Sequence, residues 1–221
     1  DPRSLKDMEA AAAHILQAVQ DDKSIAVFAD YDVDGATSGA LLIRYLRHLG
    51  VTPLHHVPDR VHEGYGPNEV AIEKLAEQGA ELIIFVDCGT TAMEPLTRAQ
   101  ELGLEVIVVD HHQAEPKLPP AVAVVNPNRL DEPAEVVAQA GHMAAVGVTF
   151  LLLVEMNRQL REAGAETADL MTYLDLVALG TVCDVVPLTG VNRALVKQGI
   201  EMARQQPVAG LAQLSRVANI E

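Results

Sequence analysis

"AVFADYDVDGATSG", residues 26–39, runs from an apolar segment straight into aspartates at three alternating positions, Asp30, Asp32 and Asp34. Gly35 and the hydroxyl residues Thr37 and Ser38 follow at once. "SIAVFA" has the length and the branched and aromatic side chains of a short buried strand, and "TSGALLIRYLRHLG" has helical spacing ending at Gly50. The stretch therefore reads as a strand, an acidic loop and a helix. Like charges this close repel one another, so the loop needs a positive partner.

The same grammar repeats along the chain. "ELIIFV" and "LEVIVV" read as strands, "AVAVV" as a further strand, and "VTPLHHV" as an extended segment that Pro53 demotes to an edge. "PNEVAIEKLAEQG" and "MEPLTRAQELG" read as intervening helices, and Ser4 with Asp7 as caps for a first helix, "MEAAAAHILQAV". Alternation of this kind predicts an α/β fold, a parallel sheet flanked by helices, over residues 1–125. From His142 onward the strand signals stop, and three helical patterns predict a mainly helical portion within 126–221 of the same domain; "NPNRLDEPAE" reads as a loop.

Composition narrows the class. The chain has 221 residues, of which 49% are hydrophobic and 21% charged, as in a globular domain. Its longest run free of both charge and histidine, Met143 to Val154, is too short to span a bilayer, and with no basic segment followed by an apolar one at the start, secretion is not expected. The cysteines, Cys88 and Cys183, allow at most one disulfide, and a reduced, cytoplasmic setting is expected. The formal net charge of −15 would repel a polyphosphate at long range. A phosphate-bearing ligand would need local positive charge from metal ions, a few arginines or another domain.

In a parallel sheet, ligands gather beyond the carboxyl ends of the strands. Asp30, Asp87 and Asp110 each end a predicted strand, His111 and His112 follow Asp110, and Asp184 follows a predicted helix in "LGTVCDVVPL". One such aspartate can simply cap a turn. Several converging on one edge would raise each other's pKa, a conflict that divalent cations remove. "DYDVDG" is not an EF-hand loop, because Leu41 stands where the bidentate Glu is required. Nor does a strand followed by D-x-D-G make a haloacid-dehalogenase site, since no later strand ends in an acid pair. Mixed carboxylate and imidazole donors suit manganese, iron, cobalt or zinc, and manganese is the expected ion.

The set "DYDVDGATS", "PDRVHEGYG", "VDCGTT", "VDHH" and "GTVCDVVPL" resembles the DHH phosphoesterases, in order and over nearly the whole chain. Within them it is similar to the RecJ-type single-strand-specific exonucleases. The resemblance implies that Asp32, Asp34, Asp87, His111 and Asp184 are metal ligands, with Asp30 ligating directly or through water. Asp87 would bridge two Mn²⁺ ions, for which Mg²⁺ or Co²⁺ could substitute. Asp110 would orient His111, and His112 would face the scissile phosphate. By their own placement in the motif loops, Arg60 would bind substrate or form a surface salt bridge, Tyr65 and Tyr31 would stack on substrate bases or simply pack, and Ser38 would sit at a phosphate-accepting helix start or serve as its cap.

The implied activity is hydrolysis of phosphodiesters by a water that two metal ions activate, in a 5′→3′ exonuclease acting on single-stranded DNA during repair or recombination. Partners would be single-stranded DNA and other repair proteins, with no membrane. RecJ-type enzymes carry a second domain with a glycine-rich, His-containing motif, and usually an OB-fold. Neither pattern occurs within residues 1–221, so an isolated catalytic domain or a fragment is expected, with tight DNA binding left to the missing part. The competing expectations are a DHH enzyme acting on short oligonucleotides, cyclic dinucleotides or pyrophosphate, and a non-catalytic DHH scaffold.

Overall fold

Every residue of β1 (Ile25–Ala29) and β3 (Leu82–Val86) is buried, and β4 (Glu105–Val109) is buried after its first residue. Strands covered on both faces are continuous apolar runs, which is how these segments read in the sequence. The computed structural model describes residues 1–205 and 207–219. The sheet has five strands in the order β2-β1-β3-β4-β5, all parallel, with β2 (Leu54–His56) and β5 (Ala123–Val125) at the edges.

Alternate strand residues feed two cores. Ile25, Val27, Leu82, Ile84, Ile107 and Val125 pack with α1 (Met8–Gln20), α2 (Val33–His48), α6 (Ala145–Glu162) and α7 (Leu174–Cys183). Ala26, Phe28, Ile83, Phe85, Val108 and Val124 face the other way, onto α3 (Glu69–Glu77) and α4 (Met93–Glu101). The chain leaves β1 toward β2 and returns across it to β3. The topological switch point, where such sheets bind ligands, therefore lies between β1 and β3.

Past β5 the described residues form helices: α5 (Ala134–Ala140), α6, α7, α8 (Gly190–Gln205) and α9 (Ala209–Val217). α7 lies close on α2 because residue 180 is glycine: a Cβ there would overlap Thr37 Oγ1. That contact brings the end of α7, and with it Asp184, toward the start of α2.

Four details differ from the sequence reading. α2 starts at Val33, inside the acidic stretch, because Asp32 caps it by accepting Gly35 N–H at 2.9 Å. Asp7 does not cap α1: its φ is 59°, and its carboxylate instead accepts Val124 N–H and the Arg129 guanidinium. Ser4 does not cap α1 either, since its hydroxyl donates back to the Asp1 carbonyl at 2.8 Å. α5 occupies the end of a segment read as loop. Among the described residues no single helix is long and apolar enough to cross a membrane.

Candidate metal centre

Strand register lines the acids up. Ala29, Val86, Val109 and Val125 are paired across the sheet, so the next residues, Asp30, Asp87, Asp110 and Asn126, form a row along its carboxyl edge. Backbone bonds hold the row in place: Asp30 N–H donates to Val86, Asp87 N–H to Val109 and Asp110 N–H to Val125. Asp87 has φ 60°, a left-handed conformation that aspartate tolerates better than a branched residue would. It turns the chain sharply off β3.

The start of α2 delivers the remaining acids of the opening stretch. Gly35 is required there, because a Cβ at that position would collide with the Asp30 carbonyl. With no side chain in the way, the first turn of α2 sits directly on the end of β1. Asp34 is buried and its carboxylate accepts the Ala145 and Val146 N–H groups at 2.6 and 2.8 Å, at the N-terminus of α6. Asp32 remains exposed beside the row.

His111 joins these groups. Its Nδ1 lies 3.0 Å from the Met143 carbonyl, which can only accept, so Nδ1 carries the proton and Nε2 presents a lone pair. That Nε2 is 3.3 Å from Asp87 Oδ1 and 3.8 Å from Asp34 Oδ2. A lone pair facing carboxylate oxygens is repulsive unless a cation or proton lies among them. Asp184, the residue after α7, places Oδ2 3.8 Å from His111 Nδ1.

Among the described residues, three overlapping groups offer ligand atoms all within 4.8 Å of one another: Asp30, Asp32 and Asp87; Asp34, His111 and Asp184; and Asp87, His111 and His112. Asp87 and His111 are the shared members. Asp30 Oδ1, Asp87 Oδ1 and Asp184 Oδ2 are buried and have no hydrogen-bond partner. Leaving such atoms unsatisfied is costly.

The electrostatics carry the same message. Burial, then the charges of Asp34, Asp32 and Asp110, push the Asp87 carboxyl up to about 10. Burial raises Asp34 to about 6 against the opposing Val146 N–H, and it also raises Asp30 and Asp184. A hard divalent cation ligated by carboxylates and one imidazole fits this donor set and would fill the orphaned acceptors.

Two sequence expectations need correction. Asp110 does not orient His111: its Oδ1 accepts His112 Nδ1 at 2.8 Å and the His111 N–H at 2.7 Å, so the imidazole it fixes is that of His112. The His111 ring is set instead by a backbone carbonyl. Burial opposes ionisation of Asp110, but the His112 and Thr90 hydrogen bonds outweigh it and hold the carboxyl at about 2. Ser38 is neither a cap nor at the helix start. It lies in the second turn of α2, fully buried, with an unpartnered hydroxyl.

Outward from the centre runs a line of rings. Tyr65 Oη is 3.3 Å from His112 Nε2, and the two rings meet edge to face at 6.2 Å. Tyr65 in turn meets Tyr31 edge to face at 6.2 Å, and the Arg60 guanidinium lies 5.5 Å from the Tyr31 centroid. Glu63, in the same loop, pairs with His56 rather than with Arg60. Sequence reasoning missed Asn126, Asn128 and Thr90, which hydrogen-bond around the histidine loop. The signal for Asn126 was available, as a polar residue directly after the apolar run "AVAVV".

The model of the DHH family, N-terminal domain, matches residues 24–181. The chain belongs to the DHH family. The DHH match takes in Asp30 through His112, and Asp184 follows just beyond it. Among curated proteins, the chain is 37% identical over 218 residues to the single-stranded-DNA-specific exonuclease RecJ of Bacillus subtilis, matching 99% of this chain and 26% of that one. It is 37% identical over 225 residues to the Escherichia coli protein of the same name, matching 98% of this chain and 38% of that one. A crystal structure of exonuclease RecJ bound to manganese superimposes with a TM-score of 0.82 at 36% identity, covering 96% of this chain and 52% of the other. A second, RecJ of Thermus thermophilus in complex with Mn²⁺, gives 0.75 at 34% identity and covers 96% of this chain and 29% of that one. The DHH chain thus spans about a quarter to two-fifths of the length of these curated relatives.

Proposed function

We propose that this chain is the catalytic part of a metal-dependent phosphodiesterase that degrades single-stranded DNA from an end. The observation that carries the reading is the crowding at Asp87 and His111, where a lone pair and unpartnered buried carboxylate oxygens face one another. Two neighbouring cation positions would be held by Asp30, Asp32 and Asp87 on one side and by Asp34, His111 and Asp184 on the other, with Asp87 between them. Mn²⁺ is the proposed ion, with Mg²⁺ or Co²⁺ as substitutes; RecJ structures with Mn²⁺ and with Mg²⁺ support this choice. Divalent cations bound there would acidify a water and offset charge on the phosphoryl oxygens.

The chain's own groups do the rest. Asp34 and His111 are held rigidly by backbone partners, so the centre is formed before ligand arrives. His112 has its proton-bearing Nδ1 fixed on Asp110, and its Nε2 faces outward toward Tyr65, where it would meet a phosphoryl oxygen. The Asp110 hydrogen bond raises the pKa of His112, which favours a donating, positively charged ring. Tyr65, Tyr31 and Arg60 would then support successive bases and phosphates of a strand leading away from the centre. Stacking of this kind suits an unpaired strand, because every base has a face to offer.

The substrate, the 5′→3′ direction and a role in DNA repair and recombination rest on likeness to RecJ proteins. Other repair proteins as partners rest on it too, while a cytoplasmic location rests on the two unpaired cysteines. A further domain supplying a basic surface is part of the same proposal, since a chain with net charge −15 attracts no polyanion at long range. The test is turnover, with Mn²⁺, of a long end-labelled single strand, a dinucleotide, pyrophosphate and a duplex. Preference for the long single strand, with mononucleotides released from its 5′ end, supports the proposal. Preference for the dinucleotide or pyrophosphate would move the chain to the small-substrate DHH enzymes, and absence of any turnover would make it a scaffold.

A further inference from the structure

Asn126 and Asn128 hold the two histidines by their backbone. Asn126 is fully buried at the fourth place of the strand-end row. Its Nδ2 donates to the His112 carbonyl and to Thr90 Oγ1, both at 2.8 Å, while its Oδ1 accepts the Asn128 N–H at 2.8 Å. Asn128 Nδ2 donates to the His111 carbonyl at 2.6 Å and to the Gly141 carbonyl at 3.0 Å. The Asn128 nitrogen faces two carbonyls, the Asn126 nitrogen faces a carbonyl and a hydroxyl, and the Asn126 oxygen faces an N–H. A flipped amide would set oxygen against oxygen, so both orientations are fixed by their partners.

The consequences differ at the two positions. Thr90 N–H donates to Asp110 Oδ2, and Asp110 Oδ1 holds the His112 ring. Asn126 therefore closes a ring of contacts around His112. Asn128 ties the His111 carbonyl to Gly141, two residues before Met143, whose carbonyl orients the His111 imidazole. It therefore fixes His111 from both its backbone and its ring side. We infer that Asn126 and Asn128 are positioning residues, Asn126 setting His112 for the phosphate and Asn128 setting His111 for the metal. This rests on the phosphodiesterase reading above.

Aspartate is the sharp substitution, because it keeps the shape and replaces a donor with an acceptor facing carbonyls. The readouts are the Mn²⁺ dissociation constant by calorimetry without substrate, and kcat on a labelled single strand at saturating Mn²⁺. Asn128→Asp and Asn128→Ser should weaken Mn²⁺ binding by about 10–100-fold, the usual effect of losing a group that orients a ligand. Asn126→Asp should lower kcat by about 10–100-fold and leave the Mn²⁺ constant within about threefold. Tyr45→Phe is the control. It removes a buried 2.8 Å hydrogen bond to Asn157, about three turns along α2 from Asp34, and should lower Tm while leaving both constants unchanged.

If Asn128→Asp does not fold, Asn128→Ser is read in its place. Wild-type constants in the folded Asn variants would overturn the inference. So would Asn126 and Asn128 variants that move both constants together. A wild-type protein that neither binds Mn²⁺ nor cleaves would instead sink the phosphodiesterase reading itself.

Discussion

Stripped of metal, this protein should lose stability between pH 5 and pH 8. Asp34 carries the calculation, because it is 1% exposed and titrates near 6 in the fold against an ordinary 3.8. A carboxyl with a raised folded pKa contributes stability that is fully present below the unfolded value and is lost as pH rises through the folded one. Between pH 5 and 8 the unfolded carboxyl is almost fully ionised throughout, while the folded one passes from mostly protonated to ionised. That difference is about one proton over one pH unit, or about 1.4 kcal/mol. In a domain of this size it corresponds to a fall in Tm of about 3–6 °C. Asp87, raised to about 10, and Asp30 and Asp184 act with the same sign, so Asp34 alone gives a lower bound. His112, whose pKa its Asp110 hydrogen bond raises, also loses stability as pH rises. Asp110, held at about 2, is ionised at both ends of this range and offsets nothing. The assay is thermal unfolding of chelator-treated protein at the two pH values, with and without Mn²⁺. Excess Mn²⁺ should raise Tm far more at pH 8 than at pH 5, where protons compete for the same oxygens. Asp34→Asn should narrow the metal-free gap by the same 3–6 °C. A stripped protein as stable at pH 8 as at pH 5, or an undiminished gap in the Asn variant, refutes the reasoning.

Asp87→Ala should keep the fold and abolish Mn²⁺-dependent hydrolysis, since Asp87 stands in two of the three ligand groups; undiminished turnover would remove it from the centre. The same variant, without metal at pH 8, should have a higher Tm than wild type, because it deletes the most crowded carboxyl of the row. Gly35→Ala should lower Tm by several degrees and weaken Mn²⁺ binding together, as its methyl group pushes α2 off the Asp30 carbonyl; a change in neither would show that the close approach is dispensable. Tyr31→Leu should raise KM for a long single strand by about 5–100-fold, the worth of one lost base stack, without changing kcat on a dinucleotide. Arg60→Ala should raise KM too and reduce the salt dependence of binding by about one phosphate contact.

The fold was legible because β1, β3, β4 and β5 are short apolar runs, each followed by an acid or its amide, while the edge strand β2, Leu-His-His, was marked only by an extended reading around Pro53. The strand-end acids and His111 were legible for the same reason, and Asp184 became so only once the motifs were taken together. What escaped was tertiary. Asp32-Val33-Asp34-Gly35 looked like a loop, because glycine and alternating acids are loop residues. They form a helix start because the N-terminus of a helix favours acids and Gly35 permits the approach to β1. The Met143 carbonyl that orients His111, and the Ala145 and Val146 N–H groups that hold Asp34, are backbone atoms on a distant segment, and no side-chain pattern announces them. Asp110 was assigned to the wrong imidazole for a related reason. The spacing of adjacent histidines does not say which ring turns back toward the strand end.

The most direct test is a crystal soaked in Mn²⁺, with ions located by anomalous scattering at the manganese edge. Two peaks are predicted at the carboxyl edge of the sheet, sharing Asp87, one beside Asp30 and Asp32 and the other beside Asp34, His111 and Asp184. Ions bound elsewhere, or an edge that stays empty at saturating Mn²⁺, would contradict the account.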